Sequence, residues 1–240
     1  AAEVADTGKP VSLASHLDIP RGAANFRVFA DIVRTYGTES YLLDTPDGKG
    51  AVNYAIRKPL GVVGVISPWN LPLLLMTWKL APALACGNTI VAKPSEETPS
   101  TATLLAEVMH GVGVPPGVFN VVVGSGGTVG EWLTVDPRIS KISFTGSPPV
   151  GEQIIRKAGL KKVTMELGNN SGTIIDPDAD LSAADPRSVM SSFANSGQVC
   201  ISLQRLYVHK AIAKEFTKRF VEETKKLKVG NPLEKDCDVG

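Results

Sequence analysis

The chain has 240 residues, 43% of them hydrophobic and 20% charged, a balance suited to a globular core and not to a disordered or fibrous chain. Its net charge of +1 gives no electrostatic basis for binding nucleic acid or an anionic membrane surface. Three distant cysteines, Cys86, Cys200 and Cys237, argue against a disulfide framework and for a reducing, cytoplasmic setting, and no metal-site spacing accompanies them.

The chain opens Ala-Ala-Glu-Val-Ala-Asp, without the basic start or apolar run of a signal peptide. It has no initiator Met and closes on Asp238-Val-Gly240, so it reads as an internal piece of a longer protein. Asp6 to Pro10 is expected to turn. Phe26, Phe29, Ile32, Val33 and Tyr36 recur at helical spacing and predict an amphipathic helix ending near Gly37. Asp47-Gly-Lys-Gly50 between extended flanks predicts a hairpin over 41–58, protruding as an oligomerisation arm because its flanks are mixed apolar and polar.

From Gly61 a unit repeats: short apolar strand, loop, helix. Strands are expected at Val62–Ile66, Thr89–Ala92, Val118–Val123, Lys141–Phe144 and Lys162–Leu167. Helices are expected at Leu71–Ala85, Ser100–Val112, Val129–Leu133 and Pro148–Ala158. The apolar helix at 71–85 is too short, and too broken by Pro72, Lys79 and Pro82, to span a bilayer. Such alternation means parallel crossovers and a doubly wound, Rossmann-like α/β sheet over residues 1–167. After Gly168 the pattern restarts with Gly172–Ile175, a helix from Arg187 to Asn195, Leu206–His209 and a helix over Ala211–Lys228. Residues 168–240 are therefore expected to begin a second α/β domain.

The strand ends carry the chemistry, because ligands of open parallel sheets bind at their carboxyl edge. Gly124-Ser-Gly-Gly-Thr-Val-Gly130 departs from the usual dinucleotide fingerprint and reads more as a mere tight turn. Ser147 followed by Pro148 starts a helix whose positive pole fits a pyrophosphate, or a well-capped helix with no ligand. Glu96 beside Lys93 suits two ribose hydroxyls and would repel a 2′-phosphate, or is a surface pair. Phe193-Ala-Asn-Ser-Gly-Gln-Val-Cys200 presents a cysteine on a loop of turn residues. The thiolate is the nucleophilic form, so a working cysteine requires electropositive surroundings, a partner base and oxyanion donors, whereas a lone cysteine is otherwise a small buried hydrophobe.

Five motifs in order, Ser67-Pro-Trp-Asn70, Lys93-Pro-Ser-Glu96, Phe144-Thr-Gly-Ser147, Met165-Glu-Leu-Gly168 and the Cys200 loop, resemble those of the aldehyde dehydrogenase superfamily from Asp6 to the end of the chain. The resemblance implies Cys200 as nucleophile, Glu166 as the base for the deacylating water and Asn70 as oxyanion donor together with the Cys200 backbone N–H. It implies NAD, in preference to NADP, held by Ser67, Pro68, Trp69, Lys93, Ser95, Glu96, Gly126, Gly130, Phe144, Thr145, Gly146, Ser147, Leu167 and Gly168. Leu71, Leu75 and Trp78 are implied to line the passage for a small-molecule aldehyde, or to be plain core. A carboxylate at Glu166 favours an acid-forming member over one that passes the acyl group to coenzyme A. The resemblance also implies a homo-oligomer. Ser12–Pro20, Arg21–Phe26, Thr45–Gly48 and Leu71–Lys79 resemble the branch acting on semialdehydes of aromatic degradation, while the chain from Thr145 resembles another branch. Asn169-Asn170 stands where the family continues Gly-Lys, which places a side chain close to Glu166.

Overall fold

The computed structural model describes residues 1–240. After α1 (Ala2–Thr7), helical backbone runs from α2 (Val11–Leu13) through a π-turn (Ala14–Asp18) into α3 (Ile19–Thr35). The helix thus begins well before the apolar repeat that predicts it. Gly22 sets how closely it packs: a Cβ there would meet Leu73 at 3.1 Å, so its absence lets α3 lie close on α4 (Pro72–Ala85). The C-terminal part of the expected apolar face, Ile32, Val33 and Tyr36, is exposed. At the start of the chain Lys9 is buried with both Glu3 and Asp18, which compensates a charge that would otherwise be costly away from water.

A hairpin follows, β1 (Ser40–Leu43) with β2 (Ala51–Tyr54), paired antiparallel from Ser40↔Tyr54 to Leu43↔Ala51. Its reversal places Gly48 at φ 74° and Gly50 at φ 72°, which glycine reaches without steric cost. All eight strand residues are exposed.

The main sheet contains β3 (Val62–Ile66), β4 (Thr89–Lys93), β5 (Phe119–Val121), β6 (Ile139–Thr145) and β7 (Lys162–Glu166), all parallel, in the order β5-β4-β3-β6-β7. The chain winds outward from β3 to β5, returns to place β6 beside β3, then adds β7. The switch point therefore lies between β3 and β6, and a crevice opens beyond their carboxyl ends. Helices cover both faces. Val63, Val65, Met76, Leu80, Ile90, Ala92 and Ala102 form the core under α4 and α5 (Ser100–Gly111). Ile66, Leu133, Ile139, Ile142, Phe144 and Ile154 form the other, under α6 (Glu131–Val135) and α7 (Pro148–Lys157). The Gly-rich segment expected to turn instead forms a π-helical turn, Gly126–Gly130, running straight into α6.

Beyond β7, β8 (Gly172–Ile175) joins β9 (Arg205–Val208) in a separate two-stranded parallel sheet. Between them α8 (Leu181–Phe193) begins six residues before the expected Arg187, because the Asp180 carboxylate accepts from the Ser182 N–H at 2.9 Å and caps it. Pro186 within α8 removes one donor without ending the helix. Finally α9 (Ala213–Thr224) packs on α8 through Phe220, whose ring stacks on Phe216 at a centroid distance of 5.9 Å and meets Phe193 of α8 tilted at 6.4 Å.

Candidate active site

Each strand of the switch point ends in a loop rich in polar groups. β3 leads into Ser67–Asn70, β4 into Pro94–Glu96, β6 into Gly146-Ser147 and β7 into Leu167–Asn169. The first three wall a cleft of about 440 Å³. Ser67, Pro68, Trp69, Lys93, Ser95, Glu96, Gly126, Gly130, Phe144, Thr145, Gly146 and Ser147 all line it. Leu167 and Gly168 do not; they line the adjoining cleft that holds the cysteine.

The cleft has the features of a site for a polar, anionic ligand. The Ser67 hydroxyl is buried, without a hydrogen-bond partner, and sits in its wall. Glu96 forms an ion pair with the buried Lys93 ammonium at 3.1 Å and accepts from the Gly126 N–H at 3.3 Å. Its carboxyl is held below the usual carboxylate range, first by its own backbone N–H and then by Lys93 and Gly126. Ser147 is the N-cap of α7 by backbone conformation, yet its hydroxyl makes no capping bond, so it remains available to a ligand. Prolines at 148 and 149 leave Val150 as the first helical residue with an N–H, and it too faces the cleft. Gly146 cannot carry a side chain here, because a Cβ would lie 2.4 Å from the Phe144 ring. Sequence reasoning missed Thr134, Gln153 and Lys157, which line the far wall from α6 and α7. These face the cleft only because of how the two helices pack; a polar residue on an amphipathic helix gives no sign of it.

The second cleft, about 380 Å³, shares Pro68, Trp69, Thr145, Gly146 and Ser147 with the first and adds Asn70, Asn169, Gln198 and Cys200. The two therefore adjoin along these shared residues, and Cys200 lines the second, half-buried. Asn70 and the cysteine loop meet directly: Asn70 Nδ2 donates to the Gln198 carbonyl at 2.7 Å. Asn70 Oδ1 accepts from the Leu71 N–H at 3.1 Å, which fixes the amide so that its NH2 faces the loop. The loop leaves α8 with Asn195 and Ser196 at positive φ, a conformation that costs an L-residue about 1–2 kcal/mol. Such strain persists only where surrounding contacts hold it, and it recurs at functional sites.

Glu166 ends β7 opposite Thr145 in register and is exposed. It lines neither cleft wall, but its charge reaches Lys79, as does that of Cys200. Lys79 is the residue the motifs did not single out. It projects from α4 within the core, donating to the Leu75 carbonyl at 3.0 Å and to the Thr145 hydroxyl at 2.5 Å. Burial pushes its ammonium down to about 8, while Glu166 and Cys200 act to raise it. The signal was present: a lysine inside an otherwise apolar helix must have a buried partner.

Leu71 and Leu75 are buried with Leu74 against Val199, the residue before the cysteine, so they support the loop from below. Trp78 is not brought to Cys200. It lines a separate groove beside Arg57, Lys141 and Lys162, with the Arg21 guanidinium 5.9 Å from its ring centroid. Leu71, Leu75 and Trp78 are spaced i, i+4, i+7 and share one helix face, so rotation does not separate them; Trp78 lies about two turns farther along α4 than Leu71.

The chain matches the aldehyde dehydrogenase family over residues 1–240. It is 54% identical over 242 residues to the 2-hydroxymuconic semialdehyde dehydrogenase of Pseudomonas sp. (strain CF600), covering 100% of this chain and 50% of that protein. Among solved structures it is similar to PnpE in complex with nicotinamide adenine dinucleotide, with a TM-score of 0.94 and 41% identity over 99% of this chain and 48% of that one. The glyceraldehyde-3-phosphate dehydrogenase GapN of Methanocaldococcus jannaschii, complexed with NADP, matches at TM-score 0.94 and 39% identity, over 100% of this chain and 52% of that one. The chain spans about half the length of the curated relatives it matches.

Proposed function

The chain belongs to the aldehyde dehydrogenase family, and from that premise we propose that it provides the nucleotide site and the thiol centre for NAD-dependent oxidation of a semialdehyde to a carboxylic acid. The observation that carries this reading is the bond from the Asn70 amide to the Cys200 loop, in the cleft that adjoins the nucleotide cleft. The nucleotide site is residues 1–167 and the catalytic domain begins at 168.

In this reading the Cys200 thiolate adds to the aldehyde carbon, and the carbonyl electron pair moves to oxygen. Asn70 Nδ2 donates to that oxyanion with the Cys200 backbone N–H; one such preorganised donor is worth about 3–4 kcal/mol. Glu96 takes the adenosine ribose hydroxyls, with Lys93 orienting it, and the free Ser147 hydroxyl takes the pyrophosphate. Bound nicotinamide supplies the hydride acceptor. Loss of hydride leaves a thioester on Cys200, which water attacks once Glu166 removes its proton. Lys79, buried beside Thr145 and within reach of the Glu166 charge, is placed to stabilise that carboxylate. Similarity to semialdehyde dehydrogenases supports this substrate class.

The test is stopped-flow absorbance of reduced nicotinamide with 2-hydroxymuconic semialdehyde. Cys200→Ser should abolish both burst and turnover. Glu166→Gln should keep the burst and lose steady turnover by about 100-fold, since only hydrolysis needs the base. A burst lost together with turnover in Glu166→Gln would give Glu166 an earlier role, in activating the thiol.

A further inference from the structure

The loop that carries Cys200 turns through three successive left-handed residues, Asn195 (φ 51°), Ser196 (φ 57°) and Gly197 (φ 76°). Glycine takes this conformation freely, and asparagine tolerates it better than other L-residues. Asn195 is only 5% exposed. Its Nδ2 donates to the backbone carbonyl of Asn70 at 3.1 Å and at 3.5 Å to the Gln198 carbonyl, the same oxygen that accepts from Asn70 Nδ2. The Gln198 N–H in turn donates to the Asn195 carbonyl at 3.0 Å. Two carboxamides on separate elements thereby converge on one backbone oxygen, and one of them also holds the backbone of the other.

This geometry separates two tasks. The Leu71 N–H sets which way the Asn70 amide points. It does not set how far the Asn70 backbone stands from the cysteine. The first bond of α4 runs from the Leu75 N–H to the Leu71 carbonyl, so the Asn70 carbonyl lies outside the helix ladder, and Asn195 is its partner. We propose that Asn195 is a positioning residue: its left-handed backbone aims a carboxamide at the Asn70 carbonyl and holds the oxyanion donor at the right distance from the Cys200 sulfur. The proposal rests on the reading of Cys200 as nucleophile and Asn70 as oxyanion donor.

Two electrophiles distinguish positioning from a merely structural role in this 240-residue chain. 4-Nitrophenyl acetate acylates a thiolate through a tetrahedral oxyanion: the S–C bond forms, the carbonyl pair moves to oxygen, then the C–O bond breaks and nitrophenolate leaves with its pair. Iodoacetamide alkylates the same sulfur by direct displacement of iodide and creates no oxyanion. Asn195→Gly keeps the left-handed backbone and removes the carboxamide; Asn195→Ala removes it too and guards against an effect of glycine alone. In both, acylation of Cys200 should slow by about 10- to 100-fold while alkylation stays within about twofold. Asn70→Ala should behave alike, and the double variant Asn70→Ala/Asn195→Gly should be no slower than Asn70→Ala, because Asn195 acts through Asn70.

Wild-type acylation in Asn195→Gly, with Asn70→Ala slow, overturns the proposal alone. Parallel loss of acylation and alkylation also overturns it, since the whole loop would then be displaced. If the unaltered chain shows no acylation that Cys200→Ser removes, the reading of Cys200 fails and this inference falls with it.

Discussion

At the residue scale, Lys79 makes a pH prediction whose sign can be worked out. Its folded value is about 8 against 10.5 when free. Below pH 8 both folded and unfolded chains hold the proton, and the cost of burying the charge is fully present. Between pH 8 and 10.5 the folded state releases it while the unfolded state keeps it, so stability rises with pH. The shift corresponds to roughly 3 kcal/mol across that window. Urea unfolding of the unaltered chain and of Lys79→Met should therefore converge or cross as pH rises from 7.5 to 10.5. A difference that stays flat would mean Lys79 is neutral throughout or solvated. Glu96 makes a second prediction. Its carboxylate is ionised at neutral pH, held so by its own backbone N–H, Lys93 and Gly126. Glu96→Gln removes the charge that would face a 2′-phosphate, and NAD-over-NADP discrimination in kcat/KM should fall roughly tenfold. Equal discrimination in both proteins would place the selectivity elsewhere.

At the scale of elements, the hairpin of β1 and β2 is the part least explained by its own surroundings. Leu42 is 82% exposed and Val52 65%, and the two face each other in register. An isolated two-stranded ribbon is marginal in water and needs a further surface. We propose that this surface belongs to a second subunit of the full-length protein. Deleting Thr45 to Ala51 there should leave the circular dichroism spectrum unchanged and lower the mass seen by light scattering. An unchanged mass would make the hairpin a local ornament. Elements also show where local signals mislead. Pro186 looks like a helix start, yet the cap at Asp180 and packing on α9 carry α8 through it. The glycines of 126–130 look like a turn, yet continuity with α6 makes them helical, which directs the Gly126 N–H to Glu96.

At the scale of the molecule, strand–helix alternation sufficed to expect a parallel doubly wound sheet, because a crossover of that length permits little else. Periodicity located the strands of the sheet within a residue or two, since each is a short apolar run bounded by turn residues. The five motifs were legible as well: four fall at strand ends and the fifth, the Cys200 loop, leaves α8, all on loops released from packing that can carry chemistry. None of the ten ion pairs of the chain involves Cys200 or Glu166, so their relation is one of placement and could not be read from charge patterning.

By itself, then, the sequence determined what local chemistry determines: the strand and helix order, the polar loops at the strand ends, and the cysteine, carboxylate and amide proposed as nucleophile, base and oxyanion donor. Only the tertiary structure decided which side chains converge. The switch between β3 and β6 set two clefts side by side and brought Asn70 to Gln198 across more than a hundred residues. Packing buried Lys79 against Thr145 and placed Trp78 in another groove, and it held Asn195 and Ser196 in a left-handed conformation that costs L-residues energy. The physical reason is one of range. Propensity and periodicity act over a few residues, whereas burial, the hydrogen bonds it enforces and the strain it sustains depend on neighbours that only the folded chain supplies.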